Sequence, residues 1–371
     1  MSITARPWRV QDELIEQPSW GGRYIIDLKG LSDDPEWTGK KVGQSYELAR
    51  SSSLIDPASG DAHPISELLT ASASELLGEC VLKKFGSDLS LLIKLTQAKG
   101  NSFQVHLPVD KKLGHWLPKP ESWFYLAPGL FTFGLKRGAS FEGFSAALRE
   151  IDKLMHDLSV EVKAGRLTVG EAGSRAKARI AELDPYQYVN VIEAGEDEIV
   201  DLTAGGIHHS WEDDETRFPQ GNLVYEVQVD VADPLCSMRG FDKGKFLADG
   251  SLRPTHVEDY LATIERDDYH NDLSHHIRKP RTVSSAGGAK VEVLFETPYF
   301  LLDRITLSPG ASASLNAWSG FHHLFVLAGT AHAGPTQLRQ GQSFIVPAVC
   351  GGYDVTSSEG ATIFKTSLPI D

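Results

Sequence analysis

Ser102, Gln104 and His106 stand at every second position of a short stretch bounded by turn residues. Alternate side chains on a strand share a face, so a hydroxyl, an amide oxygen and an imidazole come together there. Lys119 and Pro120 lead into Glu121, where the proline restrains the entry to a strand and the glutamate offers a carboxylate. Gly205-Gly206-Ile207-His208-His209 reads as a tight turn that delivers an imidazole. The two histidines are neighbours on a strand and face opposite ways, so only one of them should be a ligand. Two imidazoles, a carboxylate and an amide oxygen suit a borderline divalent ion such as zinc, with room for water or substrate. A donor set without cysteine fits catalysis better than a structural site. Further on, a strand carrying Glu226 precedes Met238–Lys245, which sets Arg239, Lys243 and Lys245 among glycines. Cations in that setting suit a phosphate or a polarised oxygen. Each motif alone is also what a surface strand, a turn or a basic loop contains; their combination is what points to a site.

The elements that must hold these residues are mostly strands. Leu91–Leu95, Ser102–His106, Ser122–Ala127 and Leu130–Leu135 are short and bounded by Gly, Pro, Asp or Lys. Tyr188–Ile192, Glu198–Leu202 and Asn222–Val229 continue the series, and residues 290–371 read as an antiparallel barrel or sandwich. Near the start, Tyr24–Leu28 and Gly43–Ala49 read as strands, and 64–86 as helical. Between the strand blocks the period changes. Phe141, Phe144, Leu148, Ile151, Met155 and Leu158 form a helical stripe. Thr168 and Glu171 spell a capping box for a second helix. Residues 139–184 are therefore a helical insertion, and 242–285 a polar connection with a short helix near 257–266.

The chain has 371 residues, 41% apolar and 23% charged, enough for two or three globular domains. Its net charge of −14 argues against nucleic acid and anionic membrane surfaces as partners. Cys80, Cys236 and Cys350 form neither a disulfide framework nor a zinc-knuckle spacing, which suits a reducing compartment. The N-terminus lacks the apolar core of a signal peptide, and no run approaches the roughly 18 apolar residues of a membrane span. The expectation is a cytoplasmic protein.

In order and spelling the motifs resemble type I mannose-6-phosphate isomerase, a family of zinc enzymes on the cupin fold. Ser102-x-Gln104-x-His106, Lys119-Pro120-Glu121, Gly205-x-x-His208, and Glu226 followed by Arg239 carry the resemblance. Lys245 six positions after the arginine, Trp20-Gly21-Gly22 and Ile93-Lys94-Leu95 add to it. Three features depart from the family's pattern: Leu107 between His106 and Pro108, a longer Glu226–Arg239 interval, and the second histidine His209. The resemblance implies a mainly β fold of two cupin-type (jelly-roll) antiparallel barrels with a helical insertion. A catalytic barrel would take 1–138 with 185–240, the insertion 139–184, a connection 241–289, and a second barrel 290–371. One zinc ion per chain would be held by Gln104, His106, Glu121 and His208. Arg239, Glu226 and Lys119 would be catalytic, with Ser102, Lys94 and Lys245 on the substrate. The implied reaction interconverts mannose 6-phosphate and fructose 6-phosphate through an enediol, in a monomer or small homo-oligomer. A sugar-binding relative without turnover is the alternative, and an iron-dependent cupin oxygenase stands further off.

Overall fold

The structure, a computed structural model, describes residues 3–370. It is mainly β, and every pairing between its strands is antiparallel among the described residues. A five-stranded sheet runs in the order Val189–Ala194, Gly129–Leu135, His209–Trp211, Phe103–Val105, Met238–Phe241. Facing it, a seven-stranded sheet is built around Glu121–Tyr125, Asn222–Val229, Leu91–Ala98 and Val42–Leu48.

Alternation gives each sheet two different faces. On the five-stranded sheet, Phe103, Val105 and Met238 pack with Phe144, Leu148, Ile151 and Tyr260 of the covering helices. On the seven-stranded sheet, Phe124 and Tyr225 meet Phe325 and Phe364 of the C-terminal half, with ring centroids 4.7–5.5 Å apart. The opposite faces of the two sheets are left to look at each other, and they carry the polar residues singled out above.

The helical insertion forms as its stripe predicts. Helix Phe141–Lys163 buries Phe144, Leu148, Ile151, Met155 and Leu158, with Ser140 Oγ capping the Gly143 amide. Burial of each such side chain contributes roughly 1.5–3 kcal/mol. Helix Val169–Leu183 starts on a complete capping box between Thr168 and Glu171. The 64–86 stretch is two helices, Ile65–Leu77 and Glu79–Phe85, parted at Gly78, whose φ of 87° ends the first.

Two placements differ from the sequence reading. Tyr24–Leu28 is a short helix, not a strand. Its apolar run is too short for periodicity to decide, and contact decides instead: Gln97 Oε1 takes the Tyr24 amide, and Ile25 and Ile26 are buried. Strand Trp8–Val10 pairs with Ser343–Val346 of the C-terminal sheet, and Ser53–Ile55 and Ala62–Pro64 continue that sheet. The C-terminal sheet therefore draws on the first 64 residues. No helix among the described residues is long and apolar enough to cross a membrane.

Two buried histidines of the C-terminal sheet should make the fold acid-sensitive. Burial pushes the pKa of both His322 and His323 down to about 3, with Lys365 and Lys29 respectively adding to it. The folded state keeps them neutral, whereas the unfolded chain binds protons near 6.5. Their contribution is therefore complete above about pH 6.5 and is lost progressively toward pH 3. The melting temperature of metal-free protein should fall between pH 7.5 and 5, and less steeply in His323→Gln. A flat profile for the unsubstituted protein would contradict this.

Candidate active site

Strand pairing brings the site together. Gln104 lies directly between His209 and Arg239 on neighbouring strands. Directly paired residues share a face, so these three side chains stand in one row, with His106 two positions along from Gln104. A register shift between Arg239 and Phe241 lets the arginine face the site while Phe241 turns to the helices. Across the gap, Glu226 is paired with Lys94 on one side and Trp123 on the other, and Gln228 with Glu121.

His106, Glu121 and His209 converge. Both imidazole Nε2 atoms lie 3.3 Å from the same oxygen, Glu121 Oε1, and all three side chains are buried. The other nitrogen of each ring is already used. His106 Nδ1 meets the Cys236 carbonyl at 2.8 Å, and His209 Nδ1 meets Ile207 O at 3.2 Å. A carbonyl can only accept, so Nδ1 carries the proton and Nε2 presents a lone pair. Two nitrogen lone pairs against a carboxylate oxygen repel unless a cation stands among them. Burial and the neighbouring Lys119 push the His106 pKa down, which keeps that ring neutral. Burial opposes charge on Glu121, but the Lys119 ammonium beside it overrides that and holds its pKa well below the usual carboxylate range. Lys119 Nζ donates to the other oxygen, Glu121 Oε2, at 2.8 Å. Gln104 gives its amide nitrogen to Ser102 Oγ at 2.9 Å, which leaves its oxygen as the free end. The donor types, the ring tautomers and the carbonyl-anchored second nitrogens all fit a divalent metal.

Beside this cluster lies a buried carboxylate with an unused oxygen. Glu226 Oε1 is 3.0 Å from Lys94 Nζ, while Oε2 has no partner. Burial raises its pKa, and Glu121 adds to the rise against Lys94 and Lys119. Arg239 is buried, bonded through Nη2 to Asp233, with Nε unpartnered.

No family model and no curated protein matches the sequence. The structure matches the mannose 6-phosphate isomerase from Bacillus subtilis with a TM-score of 0.68, over 98% of this chain and 100% of that one, at 16% identity. A mannose 6-phosphate isomerase from Salmonella typhimurium, bound to fructose 6-phosphate and zinc, matches with 0.67 over the same shares, also at 16%. The chain has the fold of the mannose 6-phosphate isomerases. A zinc-bound mannose 6-phosphate isomerase gives 0.68, again over 98% and 100%. At this identity the likeness settles the fold, and the chemistry has to be argued from the site's own residues.

On this fold the residues expected from sequence fall into two groups. His106, Glu121, Gln104, Ser102, Lys119, Lys94, Glu226 and Arg239 line the space between the sheets. His208 does not. It points to the helix-covered face, with its ring centroid 4.3 Å from Phe103 and 5.5 Å from Phe144, and Nε2 3.3 Å from Tyr260 Oη. The correction is His209 for His208. Gly205 and Gly206 both take positive φ, 66° and 67°, and the chain leaves that turn with His209 paired opposite Gln104. The sequence shows that one of the two must turn inward, but carries no signal for which. Lys245 is exposed, and its Nζ bonds Gly100 O at 3.0 Å. Lys243, by contrast, is held at 2.6 Å by Glu212 and at 2.7 Å by Trp211 O. Trp123, not foreseen, walls the metal cluster edge-on to His209 at 5.2 Å. A tryptophan two residues after a candidate ligand on a strand is the signal that was available for it.

Proposed function

We propose that this chain is a zinc-dependent aldose–ketose isomerase that interconverts mannose 6-phosphate and fructose 6-phosphate. The observation that carries the reading is the His106–Glu121–His209 cluster, with both Nε2 lone pairs turned on one carboxylate oxygen, beside the half-paired Glu226. Its setting on the fold of proteins that bind zinc and fructose 6-phosphate supports the substrate.

His106 and His209 would hold the metal through Nε2, Glu121 through Oε1, and Gln104 through its amide oxygen. Bound there, zinc supplies Lewis acidity toward the sugar oxygens. Glu226 is the group placed to move the proton. Lys94 fixes its Oε1, so the unpaired Oε2 takes the proton from C2 of the aldose and returns it at C1. The O2 hydroxyl gives up its proton as it becomes the carbonyl and the O1 carbonyl gains one as it becomes the hydroxyl, so the reaction takes up and releases no net proton. Arg239, with donors left over from its bond to Asp233, stabilises the oxygen on which negative charge develops. Lys119 and Ser102 hold Glu121 and Gln104 in place, and Lys245 is the exposed cation within reach of a phosphate at the rim.

Lys119→Met should weaken zinc binding by roughly 10–100-fold, the usual effect of removing a partner that orients a ligand. Competition with a chromogenic chelator measures this, and unchanged affinity would mean that Glu121 keeps its pose unaided. The function itself is tested by NMR on mannose 6-phosphate with zinc-loaded protein in D2O. Fructose 6-phosphate should appear, part of it carrying deuterium at C1 acquired through the exchangeable carboxyl. No conversion with zinc bound would remove the isomerase reading and leave a sugar-binding relative.

A further inference from the structure

Between the strand that carries Glu226 and the strand that carries Arg239 lies one turn of helix, Asp233–Cys236. The mechanism above gives it no task, yet three of its groups reach the site. Asp233 Oδ2 takes Nη2 of Arg239. The Cys236 carbonyl accepts from His106 Nδ1 at 2.8 Å. The Leu235 carbonyl accepts the Leu117 amide at 2.8 Å, on the segment that leads to Lys119. Asp233 is itself aimed: Ser237 Oγ donates to its Oδ1 at 2.6 Å, and the Ser237 amide to its carbonyl at 3.0 Å.

Arg239 needs such a holder. Its guanidinium is a rigid plane with five donors on a long flexible stem, and it sits in a row beside Gln104 with Nε unpartnered. A bond at one edge of that plane fixes the direction of the remaining donors. We propose that Asp233 is the positioning residue for Arg239, and that the turn Asp233–Cys236 keeps the arginine and the ligand His106 in register. The proposal rests on the isomerase reading for the task of Arg239, but the clamp itself is independent of it. Two routes across the same four residues give the arrangement its sense. The arginine is held from the first residue of the turn, the imidazole from the last, so movement of the turn would disturb both ends of the site together.

The Asp233 side chain is 59% exposed against 10% for Arg239, so a substitution at 233 removes the clamp without opening the core. Asp233→Asn keeps the shape and removes the charge; Asp233→Glu keeps the charge and displaces it. Four quantities are read for each: kcat, KM, zinc per chain, and the rate at which phenylglyoxal labels Arg239, located by mass spectrometry. In Asp233→Asn, kcat should fall ~10-fold or more with KM moved far less, since orientation is lost and binding is not. Zinc per chain should stay unchanged and Arg239 labelling should quicken. Asp233→Glu should recover part of both changes. Unchanged labelling in Asp233→Asn would overturn the clamp, and quickened labelling with full kcat would overturn its role in positioning. If the unsubstituted protein fails to isomerise, the isomerase reading falls, and the labelling rates still decide whether Asp233 holds Arg239.

Discussion

His209→Ala should lose its zinc and with it all isomerase turnover, while His208→Phe should keep both. The two residues are adjacent, but they serve opposite faces of one strand. His209 Nε2 stands 3.3 Å from Glu121 Oε1, in the same cluster as His106. Removing it takes away a direct donor, so affinity should fall by more than the roughly 10–100-fold that loss of an outer partner costs. His208 is packed among Phe103, Phe144 and Tyr260, where burial, with His209 and Lys243 adding, pushes its pKa well below the usual value. It is a neutral core residue there. Phenylalanine fills the same apolar pocket but leaves the buried Tyr260 hydroxyl without its 3.3 Å partner, a cost of about 1–3 kcal/mol in stability that does not touch the metal cluster. Metal analysis and melting curves on the two variants separate the cases. Zinc retained in His209→Ala, or lost in His208→Phe, would reverse the assignment.

Arg239→Ala should lower kcat by about 10²–10³-fold and leave the zinc content intact. The arginine is separated from His209 by Gln104 in the strand order, and none of its contacts is to His106, Glu121 or His209. Its worth lies in donors already aimed when charge appears on the sugar oxygen, so its loss should appear in kcat more than in KM. Stoichiometric zinc with collapsed turnover is the expected result. Lost zinc would show that Arg239 supports the metal centre instead.

Much of this was legible because it depends on local chemistry. Alternation alone puts Ser102, Gln104 and His106 on one face, and the structure has them there, facing the second sheet. Thr168 and Glu171 needed nothing beyond their own turn to form a capping box, and they form it. The apolar stripe from Phe144 to Leu158 likewise carries its own period. What was hidden depends on partners far along the chain. The inward turn of His209 is set by its pairing with Gln104 and Phe133, which no pattern within residues 205–211 encodes. Tyr24–Leu28 is helical because Gln97, 73 residues away, takes its first amide. Trp8–Val10 belongs to the C-terminal sheet by pairing with residues more than 330 positions later. The carbonyl of Cys236, which settles the tautomer of His106, is a backbone group, and side-chain patterns say nothing about it.

If the His106–Glu121–His209 centre makes this fold an isomerase of hexose phosphates, turnover must follow the metal. An enzyme-coupled assay of fructose 6-phosphate formation from mannose 6-phosphate, on zinc-loaded, chelated and zinc-restored protein, decides this. Turnover that chelation abolishes and zinc restores is the expected result. Zinc-loaded protein that binds its metal at these residues and still leaves mannose 6-phosphate unchanged would contradict it.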